Sequence, residues 1–224
     1  MQNKRINIFI GHFGSGKTEV ALSFLMNCFR DASNTAIVDL DIVNPFFRAS
    51  DAHEVLKKLN IRLIKPIYAN TNIDVPALPP DINSVLEDEN INVVFDVGGD
   101  DLGARAISCY KNSIEKQDYE LFFVVNTNRP LTSNKEKIKS MLQEIEATTR
   151  LKVTKLVNNT NLLSETKVHD ILEGSKLVKD IANEHKIDFA FTCVTKNLKE
   201  ELEQRSQDSI LILDNLITLP WKKG

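Results

Sequence analysis

Hydrophobic residues fall into short blocks along the chain, and these alternate with longer amphipathic stretches. The blocks are rich in Val, Ile, Leu and Phe and predict strands over 6–10, 35–40, 61–65, 92–96, 121–126, 152–158, 189–194 and 210–213. The stretches between them predict helices over 16–30, 50–59, 81–89, 101–116, 132–148, 165–186 and 198–206. Residues 66–80, rich in Pro and Asn, predict an irregular excursion. Because the strands are almost continuously apolar, we predict a three-layer α/β/α fold with a doubly wound, mostly parallel sheet.

Composition, net charge and cysteine spacing exclude several classes of protein. The 224 residues contain 42% apolar and 26% charged residues and no linker or repeat, which suits one domain over 1–224. A net charge of −3 with scattered Lys and Arg argues against nucleic-acid binding. No apolar run approaches the roughly 18 residues that an integral membrane segment requires. The cysteines, Cys28, Cys109 and Cys193, are far apart, so we expect a reduced, cytoplasmic protein without structural zinc or disulfides.

A phosphate-binding motif follows the first predicted strand and opens the first predicted helix. It reads Gly11-His12-Phe13-Gly14-Ser15-Gly16-Lys17-Thr18, with Glu19 next, and satisfies G-x-x-x-x-G-K-[ST]. Such a loop directs backbone amides and the positive end of the helix dipole at phosphate oxygens. Lys17 is expected to reach the β- and γ-phosphates, and the Thr18 hydroxyl is expected to bind Mg²⁺. The motif therefore predicts the P-loop fold of nucleoside-triphosphate hydrolases.

Acidic residues end two of the predicted strands. Asp96 ends the strand over 92–96, where a carboxylate typically coordinates Mg²⁺, and Gly99 follows with an amide that could sense the γ-phosphate. Asp39 and Asp41 end the second strand and share one face by alternation. We assign Asp41 to orienting the attacking water and Asp39 to supporting the Mg²⁺ shell.

Two arginines are further candidates. Arg48 belongs to a loop over 44–48 that could respond to the γ-phosphate, and Arg105 belongs to the predicted helix after Gly99. Either could supply positive charge to a transition state. An ordinary surface position is the simpler interpretation of both.

The segments INIFIGHFGSGKTEVAL, AIVDLDIVNP and VVFDVGG, in this order, resemble the MinD/ParA-type branch of P-loop ATPases. This branch is also called the CobQ/CobB/MinD/ParA group and belongs to the SIMIBI class. The resemblance implies ATP and Mg²⁺ as cofactors, slow hydrolysis, switching with an unknown protein partner, and a nucleotide-dependent homodimer. It also places Thr195, after a late strand, in the adenine pocket.

One position departs from that family. The family has a second lysine where this chain has His12, beside a glycine where this chain has Phe13. That lysine crosses the dimer interface to the partner's phosphates, and histidine does not carry a permanent charge near neutral pH. The resemblance therefore does not extend to lysine-dependent activation of a dimer.

Two alternative functions remain open. Gly98-Gly99-Asp100-Asp101-Leu102 and a P-loop without the extra lysine resemble the nickel-metallochaperone GTPases of urease and hydrogenase maturation. Asn158 and Asn159 begin a motif similar to the guanine-reading box, but it ends in Asn161 rather than aspartate, which favours adenine. Asn158 and Asn159 are therefore candidate nucleotide-binding residues. An ATP-dependent synthetase similar to dethiobiotin synthetase is the other alternative, with residues 66–80 forming its acid pocket.

Overall fold

In the computed structural model, residues 4–29, 34–41, 49–66, 78–99, 101–214 and 216 are described. The strands are β1 (Ile6–Gly11), β2 (Thr35–Leu40), β3 (Arg62–Ile64), β4 (Asn92–Gly98), β5 (Tyr119–Val125), β6 (Lys155–Asn158), β7 (Asp188–Thr195) and β8 (Ile210–Leu213). The helices are α1 (Lys17–Cys28), α2 (His53–Lys58), α3 (Asp81–Glu87), α4 (Asp101–Ser108), α5 (Lys111–Glu115), α6 (Lys135–Thr149), α7 (Val168–His185) and α8 (Lys199–Arg205).

All eight strands join one sheet in the order β3-β2-β4-β1-β5-β6-β7-β8, and every pairing is parallel. The predicted doubly wound α/β/α fold is confirmed. Strand β1 lies between β4 and β5, where the strand order changes direction. In sheets of this kind ligands bind beyond the carboxyl ends of the strands at such a point. This places the loop after β1 at the expected binding edge.

Alternation along β1 distributes its side chains between two cores. Ile6, Ile8 and Ile10 face a core that includes apolar residues of α3 to α7. Phe9 faces the opposite core, to which α1 and α2 contribute. Both faces of the sheet are therefore covered, which explains why its central strands are apolar at nearly every position.

Four phenylalanine rings fill the space between α1 and the sheet. The rings of Phe9 and Phe122 are stacked, with centroids 4.6 Å apart and planes inclined by 4°. Phe24, on α1, lies 5.1 Å from Phe9, 5.4 Å from Phe122 and 6.3 Å from Phe191, measured between ring centroids. Aromatic contacts of this kind add to the stabilisation that burial provides. We call these four residues the phenylalanine block.

The prediction of one continuous helix over 101–116 is wrong, because α4 ends at Ser108 and α5 begins at Lys111. The amides of Cys109 and Tyr110 bond to carbonyls three residues earlier, which tightens and ends the first helix. The Tyr110 carbonyl then accepts from the amides of Ser113 and Ile114 and starts the second helix. Tyr110 and Ile114 both lie in the core on this side of the sheet.

Two expectations from the sequence can be compared with the structure only within the described residues. Most of the predicted excursion over 66–80 lies outside the described residues, since 67–77 are not described. Within the described ranges, no helix has the length and apolar character needed to cross a bilayer.

Candidate functional site

The loop between β1 and α1 has the conformation that its glycines were expected to permit. Gly14 and Gly16 have φ values of 77° and 80°, a left-handed region that favours glycine. The Ser15 amide donates to the His12 carbonyl at 2.9 Å and forms a tight turn. The Ser15 hydroxyl is buried without a hydrogen-bond partner among the described residues. A buried donor without a partner is an available contact for an incoming anion.

Two side chains from neighbouring loops donate hydrogen bonds to carbonyl oxygens of this turn. Arg129, in the loop after β5, donates from Nε to the Gly14 carbonyl oxygen at 2.9 Å. Asn159, immediately after β6, donates from Nδ2 to the Ser15 carbonyl oxygen at 2.6 Å. Since a trans peptide places N–H opposite to C=O, fixing the Ser15 carbonyl turns the Gly16 amide away from Asn159.

Lys17, the first residue of α1, is engaged by a buried carboxylate. Its Nζ lies 2.7 Å from Oδ2 of Asp41, and both side chains are almost fully buried. The amide of Asp41 donates in turn to Oδ1 of Asp39 at 3.1 Å. The lysine of the motif is therefore held by the end of β2 in this structure.

Asp96 lies beside this pair with its carboxylate buried. Its residue position pairs with that of Asp39 on the adjacent strand, so the two acids are neighbours across the sheet. Neither oxygen of the Asp96 carboxylate has a hydrogen-bond partner among the described residues. Burial raises the pKa of Asp96 to about 8, with Asp39 and Asp41 adding to the increase and Lys17 and Thr18 opposing it. Without a bound cation, the Asp96 carboxyl is therefore protonated near neutral pH.

The charge balance and donor chemistry of these residues fit a magnesium ion. With Asp96 ionised, Asp39, Asp41 and Asp96 would carry three negative charges against the single positive charge of Lys17, and a divalent cation would compensate the difference. In the described part of the chain, no set of three or more Asp, Glu, His or Cys side chains forms a metal site. A cation here would therefore need further oxygens, and Mg²⁺ ordinarily takes them from one or two carboxylates, waters and substrate phosphates. Thr18 and Asp96 are the residues suited to hold it.

The pKa of Asp96 predicts how the stability of the nucleotide-free protein depends on pH. The folded state keeps the Asp96 proton up to about pH 8, whereas the unfolded chain loses it near the ordinary value of 3.8. The free energy of unfolding contributed by this group therefore falls as pH rises between these values. We expect Asp96→Asn, measured by urea unfolding without Mg²⁺ or nucleotide, to lack this decline. Parallel pH profiles for the variant and the wild type would contradict it, and Asp118→Asn is the exposed control.

The structure brings together the predicted residues of the motif and both acidic strand ends. Lys17, Thr18, Asp39, Asp41 and Asp96 are buried at the carboxyl ends of β1, β2 and β4. Their assigned roles stay predictions.

Glu19 and Gly99, which were also predicted to contact the nucleotide, form hydrogen bonds within the protein in this structure. The Glu19 carboxylate accepts from the Leu216 amide at 3.0 Å and faces the Ser23 hydroxyl at 3.4 Å, so it fastens the segment after β8 to α1. The Gly99 amide donates to the Gly11 carbonyl at 3.1 Å. Contact between this amide and a γ-phosphate would require that hydrogen bond to break.

The two residues that replace the family pattern lie at the tip of the loop. Phe13 is exposed to 63% of its surface, and His12 is half-buried. The Nδ1 atom of His12 lies 3.0 Å from the Phe13 carbonyl oxygen, a contact within the loop itself.

The Asn158 side chain forms hydrogen bonds within the protein in this structure, and its nucleotide-binding role stays a prediction. It is fully buried, its Nδ2 donates to the Ile171 carbonyl at 3.0 Å, and its Oδ1 accepts from the Thr160 amide and hydroxyl. These contacts join β6 to α7. Asn159 contacts the phosphate loop instead, because its side chain points to Ser15.

The three remaining candidates are Thr195, Arg105 and Arg48. Thr195 is half-buried at the end of β7, three strands from β1, which corresponds to about 14 Å across the sheet edge. Arg105 is exposed on α4. Arg48 lies outside the described residues.

Sequence reasoning missed the contact of Arg129 with the phosphate loop. Its position after the predicted strand over 121–126 was a usable signal, because the carboxyl ends of parallel strands meet at one edge. The sequence did not show that β5 pairs with β1, so the contact of Arg129 with the phosphate loop could not be predicted.

Comparison with known proteins supports the fold. The chain matches no protein-family description and no curated protein sequence. FtsY from Mycoplasma mycoides is 15% identical with a TM-score of 0.55, over 87% of this chain and 62% of that chain. The signal recognition particle receptor FtsY from Elizabethkingia anophelis in complex with GDP is 13% identical with a TM-score of 0.54, over 87% and 58%. This chain thus spans less than two thirds of these FtsY structures.

A nucleotide-binding protein in complex with ADP from Archaeoglobus fulgidus is also similar, with 15% identity over 92% of this chain and 90% of that chain and a TM-score of 0.48. At this level of identity, the likeness to the FtsY structures shows the fold alone. The chain therefore shares the α/β/α fold of these FtsY structures.

Proposed function

We propose that this chain binds a Mg²⁺–nucleoside triphosphate, preferentially ATP, and hydrolyses it slowly as a nucleotide switch of the MinD/ParA type. The observation that carries this proposal is the buried Lys17–Asp41 pair beside the unpartnered Asp96 carboxylate, directly below the phosphate loop. A lysine, a hydroxyl and an unpartnered acid at one loop match the requirements of a triphosphate and its cation. Nothing in an ordinary core calls for this combination.

Each residue has a role that follows from its position. The loop amides and Lys17 would bind the phosphates, and Lys17 would exchange Asp41 for phosphate oxygens. Thr18 and Asp96 would hold Mg²⁺, which when bound neutralises phosphate charge, and Asp39 would support them. Released from Lys17, Asp41 would accept a hydrogen bond from the attacking water and orient it.

Nucleotide-dependent dimerisation and an unknown protein partner belong to the same proposal. So does a reduced cytoplasmic setting, which is supported by the lack of a disulfide at Cys28, Cys109 or Cys193 among the described residues.

GTP is the second candidate, because an FtsY structure with the same fold is in complex with GDP. Against GTP, the side chain of Asn161 is engaged locally: its Nδ2 donates to the Asn159 carbonyl at 2.8 Å. A guanine-specific site needs a carboxylate there to accept from two donors of the base.

Thermal-shift and calorimetric titration of the wild type tests the proposal. We expect MgATP to raise the melting temperature more than MgGTP, and omission of Mg²⁺ to reduce the shift, because a ligand stabilises in proportion to its affinity. If neither triphosphate binds with or without Mg²⁺, the proposed function is wrong. A larger shift with MgGTP would favour the second candidate. Light scattering with ATP and with ADP then tests for the dimer.

A further inference from the structure

We propose that Arg129 is a positioning residue of the phosphate loop, which holds the Gly14–Ser15 peptide in the orientation that a triphosphate requires. This inference rests on the proposed function. Its basis is the hydrogen bond from Nε of Arg129 to the Gly14 carbonyl oxygen at 2.9 Å. Arg129 lies far from the motif in sequence and reaches it only because β5 is paired with β1.

The contact involves more than one atom of Arg129. A β-carbon built on Gly14 would lie 3.2 Å from Nε and 3.4 Å from Cζ of Arg129, so the guanidinium lies directly against the glycine. Gly14 also has a left-handed φ of 77°. Glycine at this position therefore serves both the turn and the close approach of Arg129.

The turn that carries Arg129 is itself well fixed. The Arg129 amide donates to the Asn126 carbonyl at 3.1 Å, and the Thr132 hydroxyl donates to the same carbonyl at 2.6 Å. Asn126 is fully buried, and its Oδ1 accepts from the Asn128 amide at 3.1 Å. The backbone of Arg129 is consequently tied to the end of β5.

Holding this peptide has a direct electrostatic consequence. Glycine residues leave the loop free to rotate its peptide planes, and a carbonyl turned inward would present negative charge to a phosphate. The Gly14 carbonyl is instead bonded to Arg129, and the Ser15 amide is bonded to the His12 carbonyl. Both ends of this peptide are therefore fixed before a ligand arrives.

Arg129 also brings a permanent positive charge to the loop. No carboxylate of the described residues forms an ion pair with it. Lys17, by contrast, is neutralised by Asp41 at 2.7 Å. Arginine is always protonated near neutral pH, and its planar group donates in a fixed direction, which lysine does not match.

Arg129→Ala tests the inference by calorimetry with MgADP and MgATP. We expect both dissociation constants to rise by about 10- to 100-fold, the range for loss of a charged hydrogen bond, with little change in the urea stability of the empty protein. Hydrogen exchange at the Ser15 amide should become faster in the empty variant, because its peptide is less restrained. Arg205→Ala is the matched control, since Arg205 is exposed and forms a surface ion pair with Glu201.

Arg129→Lys distinguishes positioning from charge alone. We expect it to restore little of the affinity, and we expect the loss in Arg129→Ala to persist at high salt, where a purely electrostatic effect is screened. Complete rescue by lysine, or disappearance of the loss at high salt, would overturn the positioning role. Unchanged affinity in Arg129→Ala would also overturn it while leaving the proposed function intact. Absence of nucleotide binding by the wild type would instead refute the proposed function.

Discussion

Lys17→Ala is expected to weaken MgATP binding by on the order of 10²- to 10⁴-fold, because the phosphates lose a charged donor with more than one hydrogen bond. The same change should destabilise the empty protein by about 3–5 kcal/mol, since it leaves buried Asp41 without its partner at 2.7 Å. Calorimetry measures the first effect, and urea unfolding measures the second.

A double variant separates lost binding from lost folding. Lys17→Ala combined with Asp41→Asn should recover part of the stability, because the unpaired charge is gone, but it should not recover nucleotide binding. Lys152→Ala is the control, since the Lys152 side chain is 81% exposed and forms only a surface pair with Glu146. Full MgATP affinity in a folded Lys17→Ala variant would show that the phosphates bind elsewhere.

Asp41→Asn is expected to slow hydrolysis by about 10²-fold or more while strengthening MgATP binding. Hydrolysis slows because the water loses the carboxylate that orients it. Binding strengthens because, in the empty protein, Lys17 no longer has to leave a buried ion pair before it reaches a phosphate. Single-turnover hydrolysis and calorimetry on one preparation measure the two effects.

The two effects of Asp41→Asn have opposite signs, so a general loss of structure cannot imitate them. Asp118→Asn is the matched control, because the Asp118 side chain is 82% exposed and forms a surface ion pair with Lys4. Hydrolysis at the wild-type rate would assign the water to another residue. Weaker MgATP binding would mean that the Lys17–Asp41 pair does not compete with the ligand.

The fold could be predicted from the sequence because its signals are local and repeated. Continuous apolar blocks indicated buried parallel strands, and the motif between Gly11 and Thr18 indicated which strand begins the binding edge. The break at Tyr110 was not predictable in this way, because the pattern of apolar residues continues through it. The division is visible only in the hydrogen bonds, which change to three-residue spacing at Cys109 and Tyr110.

The candidate site was predictable where function depends on residue type and strand position. Asp39, Asp41 and Asp96 were expected at strand ends and are found close together, although β4 continues to Gly98, two residues past Asp96. The contacts of Asn158 and Glu19 were not predictable, because each depends on a partner distant in sequence, Ile171 for one and Leu216 for the other. The same is true of the pairing of Lys17 with Asp41.

The phenylalanine block packs α1 tightly against the sheet. Stacked and tilted rings that fill this layer leave the helix no room to roll or slide, so its first turn keeps a fixed height above β1. The conformational entropy of that turn is lost when the chain folds. Ligand binding therefore does not incur this entropic cost a second time. Aromatic residues far from any phosphate thereby help determine how readily the loop is occupied.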